Sequence, residues 1–243
     1  MRFIGLLLVV SILAIIVFGV GLAVWARETH QLGVVNAAAA SPYASVPGFI
    51  IDVLGQTFWE AALVIAILSG MPRLTNLSLR DLGFRGIDAR SLGCALIGAL
   101  AMVLIADLGS SLIASFTHAT HPQFIQQMFE RLRSRPPVLT FFIIFGAVFA
   151  PSLEEVVFRI FVFNLGLRYG GFWIGAIGSS ALFGLAHILG RASDVFTGGL
   201  LALSGIVLCW VYYRTRNAYA SIISHVLFNV FAILLFYFAP GFW

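Results

Sequence analysis

The sequence predicts an all-α protein: a polytopic bundle of about seven or eight transmembrane helices plus one interfacial amphipathic helix. Three observations carry this. Hydrophobic residues make up 60% of the chain and charged ones 10%, against about 25% charged in a soluble domain. Mean hydropathy is +1.02. Apolar stretches long enough to cross a bilayer alternate with short polar connections. A soluble enzyme carrying a single anchor is thereby excluded. The net charge of +4 reflects 14 basic residues against 10 acidic ones; all the basic residues are arginines, and all but Arg159 are scattered outside the spans. That pattern sets membrane orientation and is not a nucleic-acid signal. Cys94 and Cys209 sit in apolar segments without metal-ligand spacing.

Phe3–Trp25 follows Arg2 and is interrupted only by Ser11. Its apolar core exceeds the 7–15 residues, roughly, of a signal-peptide core, so it reads as the first span. Ala26–Pro47 reads as a loop with an alanine run. Gly48–Ser69 is the second span and holds Asp52 near one end and Glu60 deeper. Met71–Arg90 is polar, with Arg73, Arg80, Arg85 and Arg90 against Asp81 and Asp88; the most basic loop is expected on the cytoplasmic side. Ser91–Phe116 is the third span, with Asp107 inside it. Gln123–Leu132 places Phe124, Ile125, Met128, Phe129 and Leu132 at helical spacing among polar residues, an amphipathic helix for the membrane surface, stopped by Pro136 and Pro137. Val138–Phe163, Gly171–Leu189, Phe196–Tyr213 and Ala218–Phe238 are the remaining spans. Residues 1–243 are read as one membrane domain, with N-terminal spans over 1–70 and a core over 80–238. The arginine asymmetry agrees with a cytoplasmic N-terminus, and the chain is expected to be an integral protein of a bacterial plasma membrane.

Ionisable residues inside these spans are the functional signal. In Pro151–Phe163 stand Glu154, Glu155 and Arg159. Each costs roughly 2.5–3.5 kcal/mol at a helix centre, so unpaired they would cost about 8–10 kcal/mol together. Glu155 and Arg159 are four apart and share a helix face. Glu154 points about 140° away from Arg159, which leaves one carboxylate over. Such a group marks a functional site unless all three charges only fasten the bundle. His187, His225 and Asn229 are the polar groups of later spans. His225 and Asn229 are four apart, as are Phe183 and His187. If these converge, Glu154 assisted by His187 can deprotonate a water, and His225 with Asn229 can donate to the oxyanion of an attacked peptide carbonyl. Alternatively Glu154, His187 and His225 could ligate a divalent metal such as zinc that activates the water. No HExxH occurs.

EEVVFR (Glu154–Arg159), FGLAH (Phe183–His187) and HVLFN (His225–Asn229) fit EExxxR, FxxxH and HxxxN in that order. Together they resemble the CPBP or Abi family of intramembrane proteases, relatives of the Rce1-type CAAX endopeptidases. The RDLGFR loop (Arg80–Arg85) is similar to that of bacterial members. The resemblance covers roughly Arg80–Phe238. It implies a membrane endopeptidase, often described as a metalloprotease. Glu154 would be the water-activating acid assisted by His187, and His225 and Asn229 the oxyanion site. Glu155 would be the second motif acid, in agreement with its pairing to Arg159. The implied partners are membrane lipid and a membrane-associated or prenylated-type protein or peptide. Two other classes remain open: a non-catalytic scaffold or immunity protein of this fold, and a proton-coupled transporter.

One expectation conflicts with the rest. Counting from the inner span ends, Glu154 and His225 lie roughly 12–14 Å deep and His187 roughly 24 Å. The site closes only if the fifth helix starts deeper, tilts, or has Gly170-Gly171 within the membrane.

Overall fold

The computed structural model describes residues 2–40, 45–117, 130–188 and 195–238. The described residues are mostly helical, and none of them forms a strand. The helices are α1 (Arg2–Glu28), α2 (Leu32–Ala40), α3 (Val46–Thr75), α4 (Ala89–Thr117), α5 (Pro136–Ile144), α6 (Ala150–Glu155), α7 (Asn164–Ile188), α8 (Val195–Thr215) and α9 (Ala218–Phe238). Two π-helical stretches, Phe145–Phe149 and Val156–Phe163, join α5 to α6 and α6 to α7. By length and apolar composition, six helical stretches among the described residues can cross a membrane. The fourth, Pro136–Ile188, has 53 residues and doubles back at Gly171, so it supplies two passes. The chain is an integral membrane helix bundle. Residues 123–129 of the expected amphipathic helix lie outside the described residues.

Contacts divide the chain into two compact units, Met1–Asn76 with Phe124–Leu139 and Leu77–Gln123 with Thr140–Trp243. In the first, α1 packs on α3, with the Phe18 ring against Gly55 and 6.0 Å from the Phe58 ring. Ser45 caps α3, its Oγ accepting from the Gly48 N–H at 3.1 Å. The alanine run expected in a loop is instead helical, as α2. Alanine is the strongest helix former, and the run lacks the proline or glycine that would break it.

In the second unit α4, α7, α8 and α9 surround a core that includes Ala95, Met102, Ile160, Phe183, Leu208 and Val211. The Leu77–Asp88 loop is tied down by backbone. Ala218 N–H donates to Gly83 O at 2.9 Å, Arg85 Nη2 to Thr215 O at 2.9 Å and Asn217 Nδ2 to Gly86 O at 3.1 Å. Gly83 has φ +95°, the left-handed region that favours glycine.

The helix expected to end at Phe163 continues to Gly170. The chain reverses at Gly171, whose φ of 77° and ψ of −174° are open essentially to glycine alone. Past the turn the two arms run antiparallel. At Gly166 a Cβ would stand 2.5 Å from Gly175 Cα, so glycine permits the backbones to touch. Phe158 and Phe183 meet edge to face at 5.2 Å. Glu154 precedes Gly170 by 16 residues and His187 follows Gly171 by 16. Both therefore stand at one level, which removes the conflict in depth. The helix of the fourth span runs seven residues past Phe163, through an apolar-to-polar boundary at which it does not stop.

Candidate active site

The acidic pair sits where the helix is least regular. Proline at 151 has no N–H to continue the α-helical ladder and its ring crowds the carbonyl four residues back. The chain meets this with a wider turn: Ala150 N–H donates to Phe145 O, five residues earlier. Such π-bulges are frequent at functional sites.

The second π-helical stretch begins directly after Glu155. Glu155 and Arg159 pair as their spacing requires, with Nη1 3.3 Å from Oε1. The guanidinium also lies 4.6 Å from the centroid of the Phe183 ring. A desolvated cation–π contact of this kind is worth on the order of 2 kcal/mol. Both partners are shut away: Glu155 is 1% and Arg159 0% exposed. Glu154 and His187 keep 13% and 34%, so these are the groups that water or a substrate can reach.

Glu154 lies between two imidazoles. His187 Nε2 is 3.6 Å from its Oε1 and His225 Nε2 is 3.7 Å from its Oε2. Each ring is oriented by its other nitrogen. His187 Nδ1 lies 2.8 Å from Phe183 O. A carbonyl only accepts, so Nδ1 carries a proton, and Nε2 is the nitrogen that faces Glu154. His225 Nδ1 lies 3.0 Å from Glu155 Oε1, which by the same reasoning makes it the donor to that carboxylate. Phe183 packs on both imidazoles, at 4.6 Å and 5.7 Å between centroids.

Asn229 stands one turn beyond His225 on α9. Its Nδ2 donates to Gly146 O at 2.9 Å rather than to another motif side chain. The structure thus gathers Glu154, Glu155, Arg159, Phe183, His187 and His225 into one contact cluster and attaches Asn229 through Gly146. Gly146 was not legible as a partner; its only sequence signal is Pro151, five residues on. Asp107 lies half-exposed on α4 of the same unit. Asp52 and Glu60 belong to the other unit.

For the metal set considered from the sequence, Glu154, His187 and His225, the structure places the two imidazole Nε2 atoms 3.6 and 3.7 Å from the two oxygens of the one carboxylate. Among the described residues no group of three or more His, Cys, Asp or Glu could hold a metal ion.

The bundle and its buried cluster define a helical membrane protein with polar chemistry inside the membrane. Residues 136–231 match the family model described as Type II CAAX prenyl endopeptidase Rce1-like, a span that contains all three motifs. The chain is also similar to the "Putative membrane peptidase YdiL" of Bacillus subtilis (strain 168), with 22% identity over 178 residues, 71% of this chain and 66% of the relative. The chain thus spans slightly under two thirds of that relative's length. No solved structure matches it. The two matches support a CPBP-type family.

Proposed function

We propose that the chain is an intramembrane endopeptidase that hydrolyses a peptide bond of a membrane-associated or prenylated-type protein or peptide. The observation that carries this reading is the Glu154 carboxylate held between the Nε2 atoms of His187 and His225. In the proposed reaction a water beside Glu154 and His187 loses a proton to the Glu154 carboxylate as its oxygen attacks the peptide carbonyl carbon. The carbonyl π pair moves onto oxygen, and His225 and Asn229 donate hydrogen bonds to that oxyanion. Because His225 Nδ1–H serves Glu155, its Nε2 donates only when that nitrogen carries the ring's second proton, taken up from solvent before the water is deprotonated and kept through the cycle. Collapse of the tetrahedral intermediate breaks the C–N bond, and the proton held by Glu154 leaves with the amine. No step passes through a metal. Glu155 and Arg159 do not touch the substrate; they position His225.

The reading sets the chain in a bacterial plasma membrane with a cytoplasmic N-terminus, supported by the arginine asymmetry and by the Bacillus relative. Purified protein in lipid nanodiscs, given a pool of membrane-inserted peptides, tests the activity by mass spectrometry of the cleavage products. Cleavage with wild type and none with Glu154→Gln is the expected result. Equal product in both contradicts it. A scaffold role would survive that substitution unchanged, and a transporter would show altered proton coupling instead.

A further inference from the structure

The Gly146 carbonyl is used in an unusual way. In a regular helix it would accept from Ala150 N–H, and in a π-helical turn from residue 151. Ala150 N–H is spent on Phe145 O, and Pro151 has no N–H to give. The carbonyl is therefore free of both helical donors, and Asn229 Nδ2 takes it at 2.9 Å. A carboxamide has two chemically different ends, and a carbonyl acceptor fixes which of them is nitrogen. The N–H bond to Gly146 O also restrains rotation of the amide. The second N–H makes no hydrogen bond among the described residues and is left to donate elsewhere.

The geometry points to Gly146 and Pro151 as positioning residues: the proline and the π-helical turn release the Gly146 carbonyl, which locks the Asn229 carboxamide so that its second N–H can serve the reacting carbonyl. This deepens the proposed function and rests on it. It also gives the irregular helix a purpose. Regular α-helix over 145–151 would return the Gly146 carbonyl to Ala150 N–H and leave the Asn229 amide to rotate. A positioned donor matters because small misplacements of a group at the reacting centre cost on the order of 100-fold in rate.

The test is a double-mutant cycle of Pro151→Ala and Asn229→Ala in the nanodisc assay. Pro151→Ala supplies the missing N–H and favours helix, so the fold is expected to persist. The expected result is a kcat lowered about 10- to 100-fold, a KM changed by less than about twofold, and a double mutant no slower than the worse single one. Wild-type kcat in Pro151→Ala, or losses that multiply, would overturn the inference. Wild type without any Glu154-dependent turnover would instead defeat the proposed function. The hydrogen bond is then read directly by NMR of the Asn229 side-chain amide in the same nanodiscs, assigned by its disappearance in Asn229→Ala. One of its two protons should exchange slowly in wild type and rapidly in Pro151→Ala; the same protection in both proteins rejects the positioning role.

Discussion

His225 Nδ1 stands 3.0 Å from Glu155 Oε1 while its Nε2 stands 3.7 Å from Glu154 Oε2. One imidazole thus links a carboxylate sealed in the bundle to the one that remains accessible. The buried side is anchored by Arg159, so the orientation of His225 depends on an ion pair that no substrate reaches.

That dependence is testable. Removing one member of a buried pair leaves an uncompensated charge and costs about 3–5 kcal/mol. Arg159→Met is expected to lower the thermal unfolding midpoint in detergent and to reduce turnover. Adding Glu155→Gln should recover part of the midpoint, because no charge is then stranded, without recovering turnover, because His225 has lost its anionic partner. Additive losses in the midpoint would show that the pair is not coupled.

The doubled-back helix makes a second prediction. Gly171→Ala puts a side chain at φ 77°, ψ −174°, a conformation that costs about 1–3 kcal/mol for such residues. Gly175→Leu introduces a Cβ 2.8 Å from Leu167 N and from Phe163 O, which forces the two arms apart. Spin labels placed on the two arms of this hairpin should report a larger separation in Gly175→Leu, with loss of turnover. In Gly171→Ala stability should fall while the separation is kept.

Chelation gives a third. With the imidazoles on opposite oxygens of Glu154, turnover is expected to survive dialysis against a strong zinc chelator. Loss of activity that added zinc restores would require His187, Glu154 and His225 to regroup around an ion, and would replace the direct deprotonation of water by Glu154.

Outside the membrane, Asp88 starts α4 with its Oδ1 2.7 Å from the Ser91 N–H. That hydrogen bond holds its carboxyl below the ordinary value of 3.8. A folded value below the unfolded one means that its stabilisation is present above pH 3.8 and is lost as pH falls through the lower folded value. Asp88→Asn should flatten that acid-side change, measured by amide exchange at the start of α4.

Much of this arrangement was legible because membrane chemistry leaves few readings for a buried charge. Glu155 and Arg159 pair at the i, i+4 spacing seen in the sequence. The leftover Glu154 lies near the histidines of two later helices. The span ends were not legible in the same way. Asn164 and Arg168 look like the start of a loop, yet Asn164 Nδ2 donates to Ile160 O and to the Tyr212 hydroxyl, and the helix runs on to Gly170. Hydropathy reports where polar residues begin, whereas the helix ends where Gly171 lets the backbone turn. The link between Asn229 and Gly146 was hidden for another reason: its acceptor is a backbone atom, made available by a proline whose effect on the helix is visible only in three dimensions.

The most direct measurement compares protein N-termini in membranes of cells expressing wild type and Glu154→Gln at matched levels. The account predicts new termini with wild type alone, arising from bonds in or beside membrane segments. Identical profiles, with the mutant still complementing a deletion phenotype, would contradict proteolysis and leave the scaffold reading in its place.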